Sequence, residues 1–337
     1  MKFLSKLIIL IFIVGLVLTI IAFSSGVNLS NLGSFFVDDE SYSDPIEYIS
    51  TTTIEHLNVD VDTRNIIVSS TSGDSIIVTY RSHEDDIWTL SESAGTLNII
   101  QTTKPFLFNW FNFKFASYDI LTVAIEIPES LILNHSIHSA TGDIIYSNGL
   151  SIAYDMNLET QTGEVELDHI DMDSLSIDLD TGSIHLSYLN VSGDLDANNH
   201  TGSINLSHVD ANLINLDNHT GRVTGDYVNA TKLTGETSTG KVQISHANIS
   251  GMMDLSSATG NVVITDCIAT GYDLSSGTGS VTFTSSTALD LRYDLDTSTG
   301  NITVNGDDQG DKHSTSTGSI LLKISVSTGN ITVSVQN

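Results

Sequence analysis

Hydrophobic and polar residues alternate along most of the chain after residue 45, in short runs that end at a repeated Thr-Gly pair. The Thr of this pair stands at positions 141, 162, 181, 201, 220, 239, 259, 278, 299, 317 and 328. The residue three positions after each Thr is Ile or Val in every case. A fixed period of this length is typical of a repeat protein, and the alternation is typical of half-buried β-strands.

Three further apolar rows recur in most of the repeats, at six and four positions before the Thr and at eight positions after it. The pattern predicts three short strands per coil, with the Thr-Gly at a corner where glycine allows a positive φ. The predicted fold class is all-β, a parallel β-solenoid of about 19–21-residue coils. Ten such coils would form a rod roughly 50 Å long, since parallel strands pair at about 4.8 Å.

The chain before the repeats predicts three further segments. Residues 7–23 carry no charge and are long enough for a transmembrane helix, with Lys2 and Lys6 before them and Asp38 and Asp39 after them. We therefore predict a single-pass protein of the cytoplasmic membrane with its N-terminus inside and its bulk extracytoplasmic; a cleaved signal peptide is the alternative. The predicted domains are 1–23 (tail and anchor), 24–44 (linker), 45–134 (N-terminal β cap) and 135–337 (solenoid).

Charge and composition exclude several classes of function. Lys and Arg number 12 against 41 Asp and Glu, a net charge of −29, which disfavours nucleic-acid binding. The single cysteine, Cys267, excludes an intrachain disulfide framework and falls in an apolar row, as expected of a core residue. No nucleophile elbow, zinc-protease motif or phosphate loop occurs, so we predict that the chain is not an enzyme and needs no cofactor.

The order of the β segments resembles a known family. The runs HLNVDVDTRNIIV, IIVTY, TLNII and VAIEIPESLIL are followed by repeats such as TGEVEL, TGSINL and TGNVVI. This order resembles the putative-adhesin β-strand-repeat family of bacteria and archaea, a domain of unknown function. The resemblance implies a repetitive β fold and export or tethering at the cytoplasmic membrane, and it implies no catalytic residues.

Two outward columns are candidate binding sites on the repeats. The first is acidic and predicts a cation ladder that weakly binds calcium, or else a solvated face that keeps the sheet soluble; its residues are Asp254, Asp273, Asp294 and Asp296. The second predicts an aromatic strip for sugar stacking, a pH-sensitive ladder, or a structural stack of rings at a corner of the coil; its residues are His169, Tyr188, His208, Tyr227 and His246.

A third candidate is the aromatic stretch at residues 106–115, FLFNWFNFKF. Its alternation predicts a hairpin that touches lipid or a membrane partner through Phe108, Trp110 and Phe113, or that closes the end of the core. Two functional hypotheses follow. The first is a membrane-anchored, non-catalytic adhesin-like module that contacts envelope polymers; the alternative is a membrane-tethered sensor or accessory of an envelope-stress system with a membrane-protein partner.

Overall fold

The computed structural model describes residues 39–104, 116–146 and 152–336. Within these residues the only helical element is one 3₁₀ turn, Asp39–Ser41. All other regular structure is β, and the strands β1 to β27 join one continuous hydrogen-bonded sheet that is mostly parallel. The predicted all-β parallel solenoid is confirmed.

The strands before the regular repeats are short. In chain order they are β1 Ile46–Ile49, β2 His56–Val61, β3 Asn65–Thr71, β4 Ile77–Tyr80, β5 Asp86–Ser93, β6 Thr96–Thr103, β7 Thr122–Pro128, β8 Asn134–Thr141 and β9 Ile144–Tyr146. The regular coils follow as β10 Ile152–Thr162, β11 Val165–Thr181, β12 Ile184–Thr201, β13 Ile204–Thr220, β14 Val223–Ala230, β15 Lys232–Thr239, β16 Val242–Ser245, β17 Asn248–Ile249, β18 Met252–Thr259 and β19 Val262–Thr265.

The C-terminal coils complete the sheet. Their strands are β20 Gly271–Thr278, β21 Val281–Ser285, β22 Leu291–Thr299, β23 Ile302–Val304, β24 Asp307–Gly310, β25 Lys312–Ser314, β26 Ile320–Thr328 and β27 Ile331–Val335. β11, β12 and β13 are continuous around two corners of a coil, which is why they are 17 or 18 residues long.

The core is one continuous cluster in which rows of buried apolar side chains run along the inside of the coils. The residue three after the Thr is buried in ten of the eleven repeats, and Cys267 is 1% exposed in the row eight after it. Burial raises the pKa of the Cys267 thiol to about 11, which makes it inert as a nucleophile. Each inward residue contacts its equivalents in the coils on either side, so the core repeats with the sheet.

Ile320 is the exception because Thr317-Gly318 does not belong to the Thr-Gly column. The strand register aligns Thr278 with Thr328 and Thr328 with Thr299. Ile320 instead pairs with Leu291 at the start of a strand. The eleventh pair of the sequence repeat therefore lies elsewhere in the coil, which explains the short interval before Thr328.

At the C-terminal end the coils are not stacked in chain order. β26 and β27 lie between the β20–β21 coil and the β22–β23 coil, pairing in parallel with both. The short strands β24 and β25 then pair antiparallel with β23 and β22 at the outer end. The last coil of the sequence is thus an inner coil of the rod.

The N-terminal end repeats this device. β2 and β3 lie between β6–β7 on one side and β8–β9 on the other, all in parallel register. Antiparallel strands β5, β4 and β1 cover the outer coil. Insertion of a coil at each end leaves short antiparallel strands as the outermost strands, which limits edge-to-edge association.

One prediction about the N-terminal region needs correction. In the part of the chain that the structure describes, no helix is long and apolar enough to cross a membrane. The predicted transmembrane helix at residues 7–23 lies outside that part. The prediction of this helix is therefore withdrawn, and with it that of a single-pass location in the cytoplasmic membrane. The four domain boundaries stay predictions.

Candidate functional site

Each regular coil has a corner at the Thr-Gly pair where two backbones approach closely. Glycine is required there: a Cβ on Gly221, for example, would overlap with the carbonyl oxygen of Gly202 in the coil before it. The same overlap with the preceding coil recurs at Gly182, Gly202, Gly240 and Gly260. The Thr-Gly column is therefore explained by packing of the backbone alone.

A buried polar row supports this corner from inside. Where the residue two before the Thr is polar, it donates a hydrogen bond to the stacked glycine carbonyl, as Asn199 Nδ2 does to Gly182 O at 3.0 Å and Asn218 Nδ2 to Gly202 O at 2.9 Å. The amide oxygens of both Asn side chains are buried without a hydrogen-bond partner. The row is a structural element of the core, because it faces inward.

A second corner, seven residues after the Thr, carries the predicted column of rings. His169, Tyr188, His208, Tyr227 and His246 all have φ between 51° and 57°, the left-handed region. His is enriched in this conformation among residues other than Gly, whereas the bulky Tyr188 and Tyr227 are outliers there, and such outliers cluster at functional sites. In the next coil the same corner is held by Asp266, which has φ 52° and accepts a hydrogen bond from Ser286 N. The fold therefore accepts a small residue there and does not require a ring.

The five rings form one unbroken stack along the rod, named here the ring ladder (His169, Tyr188, His208, Tyr227 and His246). Successive ring centroids are 4.5, 4.6, 4.7 and 4.8 Å apart, and the planes are within 19° of parallel. The faces of the three inner rings are thus covered by their neighbours. Stacking of a sugar on a ring face, one of the three interpretations of this column, has no free face along the middle of the ladder.

The ring edges are turned outward and carry polar groups. His169 Nδ1 contacts Asp168 at 2.9 Å and His246 Nδ1 contacts Asp226 at 2.7 Å, so each Nδ1 is engaged by a carboxylate and each Nε2 faces away from it. His208 Nδ1 contacts Ser207 Oγ at 3.0 Å. Neither the three Nε2 atoms nor the hydroxyls of Tyr188 and Tyr227 have a partner among the described residues. The ladder therefore offers a row of hydrogen-bonding edges to a ligand.

A column of polar residues lies beside the ring ladder, two residues further along each coil. We name it the amide–carboxylate column: Asp171, Asn190, Asp210, Asn229 and Asn248. Together with the ladder it lines a shallow cavity of about 380 Å³ that reaches from Tyr188 to Tyr227. Tyr188 and Tyr227 are 49% and 46% exposed. Rings, amides and carboxylates on one open groove are the groups that bind hydroxyl-rich ligands.

The acidic column is arranged differently from its order in the sequence. Asp254 and Asp273 are neighbours in the sheet, but Lys323 lies between Asp273 and Asp294. Lys323 Nζ contacts Asp273 Oδ2 at 2.7 Å, and this hydrogen bond, with the nearby carboxylates, raises the pKa of Lys323. Asp296 pairs with Lys312 at 3.2 Å. The chain's own cations thus neutralise part of this column, and weak calcium binding there stays a prediction.

The other candidates give weaker sites. One turn among the described residues places three potential metal ligands within 4.8 Å of one another: His83, Glu84 and Asp85. His200 and His219 stack at 4.7 Å without a carboxylate partner in the described structure. Phe108, Trp110 and Phe113 lie outside the described residues.

One buried titratable pair lies near the N-terminal end. His135 Nδ1 contacts Tyr146 Oη at 2.9 Å, and His135 Nε2 has no partner in the described structure. Desolvation lowers the pKa of His135 to about 4, so the imidazole is neutral at physiological pH. The pair belongs to the core of the coil formed by β8 and β9. The sequence did not indicate it, because His135 resembles an ordinary polar residue there.

Part of the chain matches a known protein family. Residues 54–192 match the Toastrack DUF4097 family. This match confirms the resemblance to a repetitive β family of unknown function. The Toastrack match includes His169 and Tyr188 of the ring ladder, while His208, Tyr227 and His246 lie beyond it. No curated protein matches the sequence.

Solved structures with a similar chain path are distant in sequence. A putative adhesin from Bacteroides fragilis NCTC 9343 is 12% identical, with 87% of this chain and 97% of that chain covered and a TM-score of 0.37. A putative cell adhesion protein from Clostridium sporogenes ATCC 15579 is 10% identical, covers 87% and 100%, and scores 0.24. A putative lipid binding protein from Parabacteroides distasonis ATCC 8503 is 11% identical, covers 87% and 97%, and scores 0.30. Likeness at this level leaves the function to be argued from the residues of this chain.

Proposed function

We propose that the chain is a non-catalytic, adhesin-like interaction module that binds an extended polymer of the cell envelope along its ring ladder. The observation that carries the proposal is that rings occupy the left-handed corner in five successive coils, although the next coil holds the same corner with Asp266. Strain of this kind costs on the order of 1 kcal/mol or more per residue and persists where it has a use. Because Asp266 holds the same corner without a ring, the fold alone does not explain the rings.

The shape of the groove favours a polymer over a small molecule. It is open to solvent and runs along the rod, past rings in five successive coils. A small ligand is usually buried in an enclosed pocket, whereas an open linear groove contacts many units of a chain weakly and gains affinity from their number.

The charge of the protein restricts the polymer. With a net charge of −29, the rod repels polyanions such as phosphate-rich polymers. The groove offers hydrogen-bonding edges, amides and carboxylates in place of a basic patch. Neutral or amino-sugar polymers therefore fit the groove best.

The groove also favours binding over catalysis. Among the described residues that line the cavity, Asp210 is the one carboxylate, and it accepts a hydrogen bond from Asn229 Nδ2. Glycoside hydrolysis needs two carboxyl groups placed on either side of the scissile bond. The accessory hypothesis depended on the anchor and on residues 106–115, and both lie outside the described structure.

Sedimentation with insoluble polymers tests the proposal. The full chain is mixed with cellulose, chitin and isolated cell-wall glycan, and the bound fraction is compared with that of the triple variant Tyr188→Asn, His208→Asn, Tyr227→Asn. Asn tolerates the left-handed backbone, so the variant keeps the fold. The control changes a pair outside the groove, as Asp217→Asn with Glu236→Gln.

We expect the control to bind like the wild type and the triple variant to lose most of its binding. Equal binding by the triple variant, or retention of no polymer by the wild type, would refute this function.

A further inference from the structure

The ring ladder alternates between His and Tyr through all five coils, and the amide–carboxylate column alternates with it through the first four. His169 stands with Asp171, Tyr188 with Asn190, His208 with Asp210 and Tyr227 with Asn229; in the last coil His246 stands with Asn248. The fold repeats once per coil, but the chemistry of this surface repeats once per two coils. Because the ring centroids on either side of Tyr188 are 4.5 and 4.6 Å away, equivalent rings recur about every 9 Å.

The alternation is not a requirement of the fold. The Thr-Gly column has a period of one coil, and the neighbouring outward column, six residues after the Thr, reads Asp168, Ser187, Ser207, Asp226 and Ser245 without alternation. Glycine packing and core burial are the same in odd and even coils.

Avoidance of like neighbours does not explain it either. Elsewhere in the rod the chain stacks identical or like-charged groups directly: His200 on His219, Asp217 beside Glu236, and Asp254 beside Asp273. Repulsion between such neighbours is about 1 kcal/mol or less in water, which the sheet tolerates. The remaining explanation is that a ligand with the same two-coil period binds this surface.

We infer that the ring ladder binds an extended β-1,4-linked polysaccharide, a class of polymer whose chemically equivalent groups recur at every second sugar. This inference rests on the proposed function and specifies its ligand. In such a chain each sugar is turned over relative to the one before it, so a given set of hydroxyl or N-acetyl groups faces the protein once per disaccharide. This two-sugar period corresponds to the two-coil period of the ladder, so equivalent groups of the polymer would meet equivalent His–Asp or Tyr–Asn pairs.

Other linear polymers fit the repeat or the surface less well. A bound β-strand repeats every two residues, at about 6.7 Å, which is too short. A polyproline helix repeats at about 9.3 Å, but it is recognised by the open faces of aromatic rings. The inner rings of the ladder have both faces covered. Edges bearing Nε2 and hydroxyl groups suit the hydroxyls of a glycan and not the rings of proline.

The length of the ladder sets the length of the ligand. The cavity from Tyr188 to Tyr227 spans two coil steps, which the proposed period equates with one disaccharide. The whole ladder spans four steps of 4.5–4.8 Å and thus corresponds to two. We expect affinity to increase from the disaccharide to the tetrasaccharide and to change little beyond it.

Calorimetric titration of the full chain tests the linkage and the length. The ligands are cello- and chito-oligosaccharides of two to six sugars, and the control is maltohexaose, which has α-1,4 links and a curved shape. We expect at least one β-1,4 hexasaccharide to bind at least about tenfold more tightly than maltohexaose. Equal affinity for maltohexaose, or tighter binding of a proline-rich peptide, would overturn the inference.

Two redesigned ladders test the period itself. In the uniform ladder, His169, His208 and His246 become Tyr, and Asp171 and Asp210 become Asn. In the inverted ladder, the three His become Tyr, Tyr188 and Tyr227 become His, Asp171 and Asp210 become Asn, and Asn190 and Asn229 become Asp. Both keep the stack of five rings, which thermal unfolding verifies.

The inverted ladder keeps the two-coil period in the opposite phase, so we expect its affinity for the preferred hexasaccharide to stay within about threefold of the wild type. The uniform ladder should lose at least about tenfold. If the uniform ladder binds as well as the wild type, the period has no role and the inference is wrong, although binding to insoluble polymer would still support the proposed function. Absence of any polymer binding would refute both.

Discussion

Two corners of the same coil have positive φ, and they reach it for different reasons. At the Thr-Gly corner, Gly221 has φ 143° and a neighbouring carbonyl leaves no space for a side chain. At the ring corner, Tyr227 has φ 56° and its ring extends half-exposed from the rod. The first corner is fixed by the backbone of the preceding coil, whereas the second places no such restriction on the side chain.

This difference separates structure from function along one chain. A residue type forced by backbone contact is the same in every coil and reports on the fold. A residue type that varies where the backbone is strained, as between His246 and Asp266, reports on something outside the fold. Three experiments test whether the two corners differ in this way.

The largest effect is expected for Gly221→Ala. The new Cβ would overlap with the carbonyl oxygen of Gly202, and the stacked coils cannot separate without loss of sheet hydrogen bonds. We expect the free energy of unfolding to fall by at least about 4 kcal/mol, measured by urea denaturation.

Gly306→Ala is the matched control for the backbone term. Gly306 has φ 90° and nothing within 4 Å of the position of a Cβ, so Ala there should cost only about 1 kcal/mol, for the left-handed backbone itself. Equal losses in the two variants would show that conformation, and not contact with the next coil, explains the Thr-Gly column.

A smaller effect separates polarity from shape in the buried row beneath this corner. Leu179 occupies the row position that Asn218 occupies two coils later, and both are fully buried. Asn218→Leu removes a hydrogen bond to Gly202 O and also an unpartnered amide oxygen, so we expect a change within about 1 kcal/mol. Asn218→Asp buries a carboxylate without a charge partner and should cost about 3 kcal/mol at neutral pH. Thermal unfolding of both variants measures the contrast, and a large loss for Asn218→Leu would mean that the polar row is essential.

The regular part of the rod was predictable because burial repeats with the sequence. Val165, Ile184 and Ile204 stand at the same position after a Thr, and parallel register brings them together in the core. Ring stacking followed from the same register. The left-handed conformation of the rings did not follow, because a column of residues at a corner does not specify the φ of that corner.

The ends of the rod were not predictable from the repeat. Chain order placed Asp294 directly beside Asp273, but an inserted coil puts Lys323 between them. The period of the sequence repeat indicates which residues share a column. It does not indicate which coils are neighbours in the sheet. The sequence signal for this insertion was the short interval between Thr317 and Thr328, which only the strand register explains.

The smallest effect on stability, with the largest consequence for function, is expected at the ring corner. Tyr227→Asn relieves the left-handed strain, since Asn adopts that region readily, and it removes ring contacts with His208 and His246 at 4.7 and 4.8 Å. The gain and the loss are each about 1 kcal/mol, so unfolding should change by less than about 1 kcal/mol while polymer binding falls. Tyr227→Phe keeps the stack and removes the outward hydroxyl, so its binding loss measures the contribution of the ring edge. A loss of stability above about 2 kcal/mol in Tyr227→Asn with unchanged polymer binding would make the ladder a structural stack, and the two corners would then differ only in how they hold the fold.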